Sequence, residues 1–123
     1  MKTANLIGPA LDWAVAIALG HNKQDVITDF GVYIRIKTQP AGMLTFCPST
    51  DWSQGGPIIE REGIELSPFT DSTSNGPIRL WVATRYERFA MFEEQGPTPL
   101  IAAMRCFVTS RLGDEVDIPE ELA

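Results

Sequence analysis

The stretch Pro9–Gly20 reads Pro-Ala-Leu-Asp-Trp-Ala-Val-Ala-Ile-Ala-Leu-Gly, and it restricts the fold more than any other part of the chain. Pro9 suits a first helical position, where its missing N–H costs nothing, and Gly20 is a natural stop. Ala10 to Leu19 are good helix formers that are apolar on every face, with Asp12 the one polar residue among them. A helix apolar all round must be covered all round. A chain of 123 residues builds one core rather than two. A subunit interface is one way to cover the second face, so a homo-oligomer through this helix is expected.

A second helix is signalled near the other end. Thr98 is its N-cap and Pro99 its first residue. Leu100, Ala103, Met104, Phe107, Val108 and Leu112 repeat on one face, Arg111 complements the dipole in the last turn, and Gly113 ends it. Two segments alternate with the period of a half-buried strand. In Val32–Lys37, Val32, Ile34 and Ile36 oppose Tyr33, Arg35 and Lys37. In Ile78–Tyr86, Ile78, Leu80 and Val82 oppose Arg79, Trp81 and Ala83.

Gln39–Gly42 reads as a turn and Met43–Phe46 as a short returning strand. Ile58-Ile59 and Ile64–Leu66 suggest short extended pieces. Ser67–Pro77 is rich in Ser, Thr, Asn, Gly and Pro and reads as a mobile loop. The acidic tail Asp114–Ala123 carries Val116 and Ile118 at strand spacing, as an edge strand would. These elements predict a single α+β domain: a small, mainly antiparallel sheet packed with two main helices.

The net charge of −6 and the scatter of the ten Lys and Arg residues argue against direct DNA binding. No apolar run approaches the ~20 residues of a membrane span, and no uninterrupted apolar core follows Lys2, so a cytoplasmic protein is expected. Cys47, Cys106 and the lone His21 form neither a disulfide framework nor a zinc set. No metal and no cofactor is called for.

The candidate site is Pro48–Arg61, Pro-Ser-Thr-Asp-Trp-Ser-Gln-Gly-Gly-Pro-Ile-Ile-Glu-Arg. No core needs this mixture, whereas a loop that holds a polar ligand does. Ser49 or Thr50 would cap a single helical turn through Trp52 and Gln54, which Gly55 would end. Trp52 offers a face on which a base can stack, and Asp51 and Gln54 can read its hydrogen-bonding edge. Gly55-Gly56-Pro57 suits either a small anion nest or a tight sterically demanding turn.

Asp51 and Glu60 are the one carboxylate pair to consider for acid–base work, but surface capping and pairing of Glu60 with Arg61 or Arg35 explain them better. Asp12, Asp51 and Glu60 carry no metal-ligand spacing. Trp81 either meets a helix or lines a pocket. Thr98 heads a helix N-terminus able to receive an anion, and Arg105 suits a pairing with Asp12 or a ligand phosphate. The expected ligand-binding set is thus Thr50, Asp51, Trp52, Gln54, Gly55, Gly56, Glu60, Trp81, Thr98 and Arg105.

Four segments taken together resemble one family. They are Leu11-Asp12-Trp13-Ala14-Val15-Ala16, the run Ser49–Glu60, Trp81 with Ala83, and Gly96-Pro97-Thr98-Pro99-Leu100-Ile101-Ala102-Ala103-Met104-Arg105. Their order and spacing are similar to the NinX-like family of small proteins from tailed bacteriophages and prophages, over nearly the whole chain. The resemblance implies phage origin and action in the cytoplasm of an infected bacterium, and no mechanism. The leading expectation is a non-catalytic binder of a small polar ligand, a nucleotide-derived host immune signal being the best guess by analogy. The alternatives are an interaction partner in phage recombination or host takeover, and a small hydrolase using Asp51 and Glu60.

Overall fold

The computed structural model describes residues 1–38 and 41–123. The first helix, α1, spans Gly8–Ala18 with Pro9 in its first turn, and Gly20 closes its end at φ 98°. Ala10 to Ala16 and Ala18 are all buried. The covering surfaces belong to the chain itself: α1 lies between the strands that follow it and the last helix. The all-apolar helix therefore needs no second subunit, and the argument for an oligomer through it loses its ground.

The strands β1 (Val26–Asp29), β2 (Tyr33–Thr38) and β3 (Gly42–Phe46) form an antiparallel sheet in the order β1-β2-β3. Val26 pairs with Ile36 and Ile34 with Phe46, and these four side chains are the sheet's buried row. Val32, expected to share that row, precedes β2 in the turn and is 66% exposed. The returning strand is present as expected. Gln39 and Pro40 of the expected turn lie outside the described residues.

The second sheet differs most from expectation. Ser67–Pro77 is not a loop: β4 (Glu65–Thr73) and β5 (Gly76–Glu87) pair along their whole length, from Glu65↔Thr84 to Thr73↔Gly76. The composition is that of a loop because β4 is an edge strand with mostly exposed side chains, and pairing with β5 sets its conformation. With β6 (Ala90–Gly96) the order is β4-β5-β6, all antiparallel. On β5 the row that turns to the core holds Trp81 and Ala83, while Ile78 is 45% exposed.

The helix α3 (Pro99–Leu112) packs on β5 and β6 and against α1, so the two helices lie between the two sheets. It is capped as the sequence predicts, with the Ile101 N–H donating to Thr98 Oγ1 at 3.1 Å. Gly96 lets β6 pass close to it, since a Cβ there would stand 2.7 Å from the Ala102 nitrogen. The α+β class with antiparallel strands therefore holds, with two three-stranded sheets in place of one. Val116 exchanges hydrogen bonds with Met1 and Glu115 bridges Lys2, but the tail forms no strand.

A third helix, α2, covers Trp52–Glu62 where a single turn and extended pieces are expected. Asp51 caps it, rather than Ser49 or Thr50, by accepting the Ser53 N–H at 2.9 Å, and Gly63 in the left-handed region (φ 66°) ends it. Gly55, Gly56 and Pro57 lie inside it. Gly55 is neither stop nor nest: its N–H donates to the Asp51 carbonyl at 2.8 Å. It is glycine for closeness, because a Cβ would stand 2.5 Å from the Pro48 oxygen and 2.6 Å from Leu100 Cδ2. At the far end, the nearly buried Glu62 accepts from Arg61 and Arg111 and pairs with Arg85 at 3.2 Å, tying α2 to α3 and β5.

Candidate functional site

The turn Cys47–Asp51 joins β3 to α2, and Gln54 holds it on both sides. Gln54 Oε1 accepts the Cys47 N–H and Nε2 donates to the Thr45 carbonyl, each at 2.8 Å. The turn lies against the N-terminal part of α1, where the Ser49 N–H donates to Asp12 Oδ1 at 2.9 Å. Asp12 is 5% exposed. Burial pushes its carboxyl up to about 6, and the Ser49 hydroxyl and N–H beside it pull the other way. Among the described residues no cation pairs with it.

Asp12 opens onto a cavity of about 670 Å³, walled also by Tyr33, Arg35, Thr45, Cys47 and Thr50. Asp12 is the deepest of these groups; Arg35 and Tyr33 stand nearer solvent, at 39% and 42% exposure. Arg35 leans on Asp29 at 3.4 Å and is partly free to meet an anion. The Cys47 thiol is pushed up by burial and by the carboxylates of Asp12 and Asp51, so it stays protonated and a weak nucleophile. The set offers a buried acceptor, a cation, hydroxyls and an aromatic ring, which is equipment for holding a polar molecule.

On the other side of the same turn lies a hollow of about 260 Å³, lined by Ser49, Thr50, Trp52 and Thr98 to Ile101. Trp52 is 54% exposed there. Ser49 is 1% exposed, yet among the described residues its hydroxyl has no hydrogen-bond partner. It faces Asp12 without reaching hydrogen-bonding geometry.

Of the ten residues expected at the site, Thr50, Trp52 and Thr98 meet at this hollow, and Thr50 also walls the larger cavity. Asp51 is taken up by capping, since its Oδ1 accepts both the N–H and the hydroxyl of Ser53. Gln54 braces the turn and Gly55 is packing. Gly56 lies within the helix near the Trp52 ring. Glu60 is exposed and has neither Arg61 nor Arg35 as partner, since Arg61 pairs with Glu62 and Arg35 with Asp29.

Nine residues along a helix separate Asp51 from Glu60 by about 13 Å, beyond the reach of a carboxylate pair working on one bond. Among the described residues no cluster of three metal-ligating side chains forms, so Asp12, Asp51 and Glu60 do not share a site. Trp81 packs against the core beneath Arg79, whose guanidinium lies 5.8 Å from its ring. Arg105 does not meet Asp12. It donates to the carbonyls of Leu6 (2.8 Å) and Gln95 (2.9 Å), pinning the N-terminal segment and β6 to α3.

The larger cavity draws on residues outside the expected set. Asp12 was marked by its isolation in an apolar helix, and Arg35 and Tyr33 by the outward row of their strand. Nothing in the spacing brought them to Cys47 and Thr50.

A family model described as Bacteriophage P22, NinX matches residues 2–111, which include every wall of both cavities. The chain belongs to the NinX family. Comparison with curated proteins found no match. A NinX protein is a phage protein, and among the described residues no helix is long and apolar enough to cross a membrane.

Proposed function

We propose that this NinX-family chain binds a small polar ligand in the cavity over Asp12 and does not turn it over. The observation that carries the reading is a buried carboxylate with no cation beside it among the described residues, facing a space of about 670 Å³. An isolated buried charge costs stability and persists where it serves a ligand. Its chemistry points to a partner that donates N–H groups to Asp12 and presents an anion to Arg35. A nucleotide combines the two: a base edge with N–H donors and a phosphate.

Catalysis is disfavoured by the walls themselves. The Cys47 thiol is held protonated, and His21 sits edge-on to Phe46 rather than among the cavity walls. In a phage protein, binding without turnover serves the phage by withdrawing a molecule from its host. Sequestration of a nucleotide-derived immune signal is the form of that reading we favour, acting in the cytoplasm of the infected cell.

Titration calorimetry with GMP, AMP, ADP-ribose and cyclic dinucleotides tests it on wild type and Asp12→Asn. A charge-assisted contact is worth about 1.5–3 kcal/mol, so the substitution weakens binding by about 10- to 150-fold. Equal affinities for the two proteins overturn the assignment of the site.

A second reading, a protein-interaction module, draws on the hairpin tips. Phe30 is 95% exposed and sits at φ 56°, and Phe89 is 92% exposed. A non-glycine residue held in the left-handed region at full exposure is a cost that a partner contact would explain. A photo-crosslinker at position 30 that captures no host or phage protein during infection removes this reading.

A further inference from the structure

The cavity over Asp12 and the hollow beside Trp52 are the two sides of one short turn. Thr50 walls both. Ser49 serves both as well: its N–H holds Asp12 Oδ1, and its residue lines the hollow. The hollow has its own mark of a ligand. Its wall includes a tryptophan that is 54% exposed beside the apolar Pro99, Leu100 and Ile101. A planar ring would stack on Trp52 and lie against that apolar wall. Taken with the cavity, the space approaches the upper end of the about 300–1,000 Å³ of small-molecule sites.

We propose that the Trp52 hollow is the second half of the ligand site, so that the ligand is two-headed: one polar head lies on Asp12 and a second, planar ring lies on Trp52, joined across Thr50. Among nucleotide-type molecules the class is a dinucleotide, with two bases and a phosphate linkage between them. This rests on the binding reading above, which concerns only the Asp12 half.

The test compares cyclic di-GMP and cyclic di-AMP with GMP and AMP, by tryptophan fluorescence and calorimetry. Wild type is expected to bind a dinucleotide at least about tenfold tighter than its mononucleotide, with quenching of tryptophan emission, since base–aromatic stacking contributes on that scale. Trp52→Ala removes most of that advantage and the quench while changing mononucleotide affinity less than about twofold; Trp52→Phe, which keeps a ring face, recovers part of it. If Asp12→Asn weakens mononucleotide binding at least about tenfold while Trp52→Ala leaves dinucleotide affinity unchanged, the second half falls and the Asp12 cavity stands. If wild type binds none of the four probes, both fall.

Discussion

Replacing Asp12 by Asn should make this protein more stable at neutral pH. The side chains are nearly isosteric, and the amide oxygen can still accept the Ser49 N–H that Oδ1 takes at 2.9 Å. What disappears is a buried charge. Burial pushes the carboxyl from an ordinary 3.8 up to about 6. At about 1.4 kcal/mol for each tenfold change, that corresponds to about 3 kcal/mol. The sign follows from the folded state holding its proton more tightly than the unfolded chain. Below pH 3.8 both states are protonated and there is no penalty. As pH rises through 3.8 to 6 the wild type loses stability, and above 6 the whole cost is present.

Urea denaturation of both proteins between pH 3.5 and 8 measures this directly, because titrations common to both cancel in the difference. The variant should match wild type at the acid end and gain up to about 3 kcal/mol above pH 6. Solvent screening at the open cavity makes this an upper bound. A difference that is flat with pH, or a variant less stable than wild type at pH 7, would refute the reasoning, since it would mean that the carboxylate is compensated in the fold.

Three further outcomes follow from the same geometry. Any ligand that donates hydrogen bonds to Asp12 should bind more weakly as pH falls through about 6, and calorimetry at pH 5 and 7.5 reads this; a pH-independent affinity would show that Asp12 makes no such contact. Gly55→Ala should destabilise by about 2 kcal/mol or more despite its better helix propensity, because the new methyl meets Pro48 O and Leu100 Cδ2. Gly56→Ala, with only Trp52 Cε3 at 4.0 Å, should stabilise by about 0.5–1 kcal/mol; thermal unfolding of both variants beside wild type checks this, and a reversed order would contradict the packing of α2.

Glu62→Gln should cost about 1–3 kcal/mol by leaving the three arginines around it without their shared charge, an amount discounted for the exposure of Arg61 and Arg111. Burial raises the Glu62 carboxyl, but the hydrogen bonds of Arg61 and Arg111 and the charges of Arg111 and Arg85 together bring it below the ordinary 4.5. Its stabilisation is therefore complete above pH 4.5 and is lost as the pH falls through the folded value. Wild type and variant should converge in acid denaturation.

The fold was legible where local signals agree. The apolar helix with Pro9 and Gly20 and the capped helix from Thr98 to Gly113 stand as read, as do the alternation in β5 and, apart from Val32, that in β2. Pattern fails where a tertiary contact overrides local preference. Gly55-Gly56-Pro57 breaks a helix in isolation, yet here the Asp51 cap starts one, and the missing Cβ of Gly55 lets it press on Pro48 and Leu100. β4 has the composition of a loop and the register of a strand, because its partner is β5 and no core lies behind most of it.

The density of polar groups around Asp51-Trp52 singles out the turn on which both cavities lie, but not the part each side chain plays there. Asp51, Gln54 and Gly55 shape the turn, and Thr50 and Trp52 line open space. Asp12 was visible as the lone charge of α1. That it faces Ser49 and an open cavity rather than Arg105 depends on how α1 crosses the turn, which periodicity does not encode.

The most direct test of ligand binding over Asp12 is native mass spectrometry of the protein purified gently from infected cells, wild type beside Asp12→Asn. The account predicts a wild-type species that carries an added mass of nucleotide size and a folded Asp12→Asn species that carries none. A bare wild type, or the same added mass on both proteins, would contradict it.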